Sequence, residues 1–159
     1  MENIVAFCLF VGIGSTIALD IWVTLVKKIT GIPPTDWGVV GRWLKAFPSG
    51  QFVVDNSNPN PPSMLEKIIG WLFHYVVGIA YAALIIIIYG SEFISVPTLL
   101  PTIVVGLILS TFAGLAILMP GLGGGFFGRL LPNKLATYIY LMIAHGIFAL
   151  AQYGLAIIY

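Results

Sequence analysis

Residues 68–89 read IIGWLFHYVVGIAYAALIIIIY. The stretch holds no Asp, Glu, Lys or Arg, and about twenty apolar residues are enough to cross a ~30 Å hydrocarbon core. A backbone in lipid must satisfy its own N–H and C=O groups, so such a stretch is a helix. Three more runs have the same character, at 4–26, 98–119 and 135–158. The predicted fold is therefore all-α: residues 1–159 form a single polytopic membrane domain with four transmembrane helices.

Composition agrees. Only 8% of the 159 residues are charged and 59% are hydrophobic, with a mean hydropathy of +1.03. A soluble domain carries about 25% charged residues. A net charge of +1 excludes a general nucleic-acid binder, which needs clustered positive charge. The single cysteine, Cys8, cannot form an internal disulfide and is read as a packing residue. The N-terminus lacks the positive segment and small-residue cleavage site of a signal peptide, so it is expected to be a retained first helix.

The basic residues set the expected orientation. Lys27, Lys28, Arg42, Lys45 and Lys67 lie in or beside the long first loop, 27–67; Arg129 and Lys134 lie in the third, 120–134. The positive-inside rule then places both loops in the cytoplasm and both termini outside. Within the first loop, Thr35 or Asp36 is a candidate N-cap. Trp37, Val40, Trp43 and Leu44 follow at helical spacing, which predicts a short interfacial helix near 35–46. The stretch PSGQFVVDNSNPNPPS, 48–63, reads as an irregular loop.

The third loop contains Gly123-Gly124-Gly125-Phe126-Phe127-Gly128. This matches G-x-G-x-x-G in letters, but a spanning helix precedes it where a dinucleotide site needs a strand. It is expected to be a tight turn at the membrane face, with Phe126 and Phe127 dipping into lipid. Small residues recur at four-residue spacing at Thr102, Gly106, Ser110 and Gly114, and at Gly70, Gly78 and Ala82, with His74 standing in the second series. Such stripes let helix backbones approach closely.

The first helix has a more polar seam: Cys8, Gly12, Thr16, Asp20, Thr24 and Lys28. Asp20 lies seven residues before Lys27, roughly 10 Å inside the expected surface. An unpaired Asp at mid-helix costs about 2.5–3.5 kcal/mol on insertion scales. Intramembrane ionisable groups are therefore functional candidates. By the same reckoning His74 lies roughly 10 Å deep and His145 roughly 16 Å deep. Asp20, His74 and His145 are a candidate polar site, with Thr16, Ser110, Thr111 and Gln152 as hydrogen-bond partners. Arg42 is a candidate counter-charge at its mouth, with Glu66 nearby.

The segments GSTIALDIW, GRWL, EKIIGWLFHYVVG and AHGIFAL, in this order with the glycine-rich turn, resemble a small bacterial inner-membrane family known only as domain-of-unknown-function family 2938. The resemblance covers nearly the whole chain. It implies four spanning helices in a bacterial membrane and groups Asp20, Arg42, Glu66, Trp71 and His74. It implies no activity, substrate or cofactor.

Three functional readings stand. The first is a small-solute, ion or proton transporter or channel component built on Asp20 and the histidines. Four helices enclose little space, so this reading expects a homo-oligomer or a membrane partner. The second is a structural or accessory subunit in which polar groups lock helix pairs. The third is a membrane redox protein holding haem or a metal through His74, His145 and Asp20, whose residue types suit a metal but whose spacing is not diagnostic. No catalytic residues are expected, because no nucleophile elbow or acyl-transfer motif is present.

Overall fold

The fold is known from a computed structural model that describes residues 3–159. Among these residues every regular element is helical. The helices are α1 (Ile4–Thr30), α2 (Trp37–Ala46), α3 (Met64–Tyr89), α4 (Glu92–Ser95), α5 (Leu99–Gly121) and α6 (Lys134–Ile158). Helices α1, α3, α5 and α6 are each long and apolar enough to cross a membrane. Large aliphatic side chains such as Ile17, Ile21, Ile87 and Ile157 are exposed along them. A protein surface facing water rarely carries apolar area on this scale. The chain is thus built as an integral membrane protein is built.

Two boundaries lie four residues beyond the hydropathy reading, and in both cases charged residues join the helix. Helix α1 runs on to Thr30 and carries Lys27 and Lys28 in its last turn, where cations meet the negative end of the helix dipole. It stops at Gly31, whose φ of 75° is left-handed and suits a residue without Cβ. Helix α3 starts at Met64, four residues before the apolar run. Its start is a reciprocal cap. The Ser63 N–H donates to Glu66 Oε2 at 2.7 Å, and the Glu66 N–H donates to Ser63 Oγ at 3.3 Å. Helix α2 begins at Trp37, with Asp36 accepting from the N–H groups of Gly38 and Val39.

Helix α5 is not uniform. Ile103–Leu109 and Gly114–Leu118 wind in wider turns, and the Ser110 N–H reaches back to Val105 O. A turn closed from i to i+5 holds more residues than the usual 3.6. The surface pattern follows: Leu100, Ile108, Phe112 and Ile117 face outward, while Thr102, Gly106 and Ser110 stay buried. In an ordinary α-helix a stripe of every fourth residue would swing about 40° per step. The wide turns keep this one on a single face.

The chain gathers into two compact units. One comprises the chain up to Pro34, Tyr75–Thr111 and Ile139–Tyr159. Its core includes Phe7, Val11, Ala82, Ile85, Phe93, Val105 and Ala156. Here α1 and α3 touch by backbone. A methyl added to Gly12 would lie 2.5 Å from Ile79 Cα, and one added to Gly78 would strike Thr16 Oγ1. The other unit comprises Thr35–His74 and Phe112–Tyr138. Its core is Val40, Trp43 and Val54, with Phe73, Leu118 and Leu122 packed on them.

Candidate functional site

In the first unit, the α1 seam turns one buried face inward through Cys8, Gly12, Ser15 and Thr16. Ser15 Oγ donates to Val11 O and Thr16 Oγ1 to Gly12 O, both at 2.7 Å. These hydroxyls bond to their own helix, as intramembrane Ser and Thr commonly do. One turn further on, half-buried Asp20 accepts a hydrogen bond from the Tyr75 hydroxyl, 3.0 Å from Oδ2. Tyr75 follows His74 directly in α3, but its role was not read from the sequence. A phenol inside an apolar span was the available signal, because a buried tyrosine hydroxyl usually needs a partner.

Helices α5 and α6 meet in the same unit at two polar levels. Thr111 Oγ1 and His145 Nδ1 are 2.9 Å apart and share one hydrogen bond. Seven residues along α6, Gln152 is fully buried. Neither of its polar atoms has a hydrogen-bond partner, and a methyl added to Gly106 would strike its Oε1. The Tyr140 hydroxyl is also buried and unpartnered, with its ring 5.5 Å from that of Trp22. A depression of about 410 Å³ lies between Tyr89, Glu92, Phe93, Val96, Thr98 and Pro101. Its one carboxylate is Glu92.

In the second unit, α2 crosses the first turns of α3. A methyl on Gly41 would strike the carbonyl of Glu66, and one on Gly70 the carbonyl of Trp37. The crossing seats His74 flat on Trp37, with ring centroids 3.9 Å apart and planes 21° apart. Trp71 approaches His74 edge-on at 5.8 Å. Arg42 faces Glu66 through two 3.4 Å contacts and donates to Asn60 O at 2.9 Å. Glu66 therefore caps α3 and pairs with Arg42 at once. The Ser-x-x-Glu spacing was legible in the sequence as a capping box but was not used.

The same unit fastens the loop after α2. The Trp43 indole N–H donates to Phe52 O at 2.8 Å, and its ring lies where a side chain on Gly121 would be. The Val54 N–H donates to Gly121 O at 2.8 Å, and Asn56 Nδ2 to Leu122 O at 3.3 Å. The stretch 48–63 is thus irregular in backbone but tied to the end of α5. The exposed Asp55 accepts the Ser57 hydroxyl and N–H. Those bonds, the hydroxyl first, hold its carboxyl below the usual range. The glycine turn is firmer than expected: Phe127, at φ 51°, folds back on Phe112, and its carbonyl accepts the Tyr138 hydroxyl at 2.7 Å. Phe126 remains exposed.

Among the described residues, no three His, Cys, Asp or Glu side chains meet in a group able to hold a metal ion. The family described as "Protein of unknown function (DUF2938)" matches residues 9–159. No curated protein and no solved structure matches the chain.

Proposed function

We propose, for a chain that belongs to the DUF2938 family of proteins of unknown function, that it moves an ion, with the proton the best candidate, or a small solute across a bacterial inner membrane. The observation that carries this reading is Asp20. It is a half-buried carboxylate inside a 27-residue apolar helix, held by a tyrosine hydroxyl. A carboxylate at that depth is costly to insert, so its presence argues for a use. In this reading Asp20 takes and releases the proton and the Tyr75 hydroxyl orients it. His74, held flat on Trp37, serves this reading as a second relay group. Arg42 and Glu66 belong to the support that fixes α2 on α3. In this reading, by the positive-inside rule, the 27–67 and 120–134 loops face the cytoplasm and the termini lie outside. A homo-oligomer or a membrane partner completes the path, since four helices enclose little space.

The test is proton flux in proteoliposomes carrying an internal pH dye. Wild type should dissipate an imposed pH gradient, and Asp20→Asn should fall to the rate of protein-free vesicles. An Asn variant as fast as wild type, or a wild type no faster than empty vesicles, overturns the proton reading. The structural-subunit reading gains from the Arg42–Glu66 pair, which ties α2 to α3 while Glu66 also caps α3. It would be favoured by an Asp20→Asn protein that differs from wild type only in unfolding temperature.

A further inference from the structure

Helices α5 and α6 present two polar levels inside the first unit, and they are not alike. At the lower level His145 and Thr111 satisfy each other. At the other, roughly 10 Å along α6, Gln152 brings an amide with both donor and acceptor capacity. It is 0% exposed, and neither Nε2 nor Oε1 has a hydrogen-bond partner. A buried amide without partners is unfavourable anywhere and most of all where lipid surrounds the fold.

What faces this amide is specific. Gly106 presents no side chain, so Oε1 rests where a Cβ would stand. Gly106 lies within the widened stretch Ile103–Leu109. Such turns break the regular backbone ladder and occur often at functional positions. On α5 itself, the hydroxyls four residues either side of Gly106 are already donating: Ser110 Oγ to Gly106 O at 2.6 Å, and Thr102 Oγ1 to Leu99 O at 2.9 Å. Each hydroxyl oxygen keeps acceptor capacity. Ala149 also packs beside Gly106.

We propose that the Gln152 amide and the widened turn of α5 at Gly106 form a binding position for one water molecule in the spanning part of the protein. A water both donates and accepts, as the amide does. It fits the rule that buried waters bridge buried polar groups otherwise left unsatisfied. A charged guest is disfavoured, because the side chain that faces the position is a neutral amide.

The chain holds only two glutamines, Gln51 and Gln152, which makes a direct test simple. Full-length protein with ¹⁵N-glutamine, in lipid nanodiscs, gives two side-chain amide pairs, and Gln152→Met assigns them. Proton-detected NMR with a short through-space mixing period then asks which amide protons lie beside water. The expected result is a water cross-peak from Gln152 as well as from exposed Gln51, with Gly106→Ala abolishing the first and sparing the second. A Gln152 amide without a water cross-peak, beside a positive Gln51, overturns the proposal. So does a cross-peak that survives in folded Gly106→Ala. Should Gly106→Ala fail to fold, the wild-type spectrum alone decides.

Discussion

The two units use polar groups in opposite ways. In the unit of Thr35–His74 and Phe112–Tyr138, polar contacts fasten segments together. Arg42 meets Glu66, Glu66 caps α3, Trp43 holds Phe52, and Asn56 holds Leu122. In the unit containing α1 and α6, Ser15, Thr16 and Ser110 bond inward to their own helices. Asp20 leans on a phenol, and Gln152 has no protein partner. Fastening groups make one arrangement stable. A buried amide with unused capacity, such as Gln152, is what a guest requires. Under the proposed function Asp20 belongs to the second style of interior, while the first supplies support and holds His74.

The sharpest way to break this contrast is Gly70→Ala. Its methyl would land on the Trp37 carbonyl, and a backbone at a helix crossing cannot move aside as a side-chain tip can. The expected loss is about 3 kcal/mol, at the upper end of overpacking costs, read as a lowered unfolding temperature in detergent. A neutral outcome would mean that α2 is not seated on α3. Glu66→Ala should be milder. It removes the side-chain half of the reciprocal cap, leaving Ser63 Oγ to accept the residue-66 N–H, at a cost of up to ~1 kcal/mol, and a part-exposed ion pair worth at most about 1 kcal/mol. Thermal unfolding of Glu66→Ala against Glu66→Gln separates cap from charge, since Gln can still close a capping box.

Gln152→Leu should behave quite differently from either. Replacing a buried amide and its guest by an apolar side chain of similar size is nearly neutral, within about 1 kcal/mol. A large loss, on the scale of Gly70→Ala, would instead make Gln152 a fastening group and erase the contrast between the units. The smallest effect belongs to Asp55. Its folded-state pKa is depressed by Ser57, so its contribution is present at neutral pH. That contribution disappears only as pH falls through a value below the ordinary carboxylate range. A side-chain NMR titration of Asp55, with Ser57→Ala returning it to the ordinary range, checks the sign.

The four spans were legible because hydropathy alone decides them, and their ends shifted where hydropathy is blind. The apolar run of α3 stops at Ile68, yet the helix reaches back to Met64 because Ser63 and Glu66 cap it. In α5 the recurrence Thr102, Gly106, Ser110, Gly114 was read as a packing stripe. The same spacing of four occurs in α1 and α3, which wind as ordinary α-helices, so it carried no sign of the wide turns in α5. The candidate residues were legible as types, since charge and imidazole stand out against lipid-soluble neighbours. Thr111, named among the hydrogen-bond candidates, does meet His145, but Tyr75 for Asp20 and Trp37 for His74 depend on helix rotation, which spacing along one chain does not encode. The helical spacing that includes Trp43 was legible, but not that its indole N–H fixes the following loop.

The wide turns of α5 also bear on the kind of bilayer that suits this protein. Helix α5 has 23 residues against 27 in α1, and 23 residues in ordinary α-helical turns would extend about 34 Å. Twelve of them (seven in Ile103–Leu109 and five in Gly114–Leu118) are wound more broadly, and chain wound in broader turns advances less. The element therefore matches a hydrocarbon thickness of ~30 Å with little excess. Thickening the acyl region would strain α5 before α1, so lipid chain length becomes a lever acting on the very helix that carries Gly106 and Thr111.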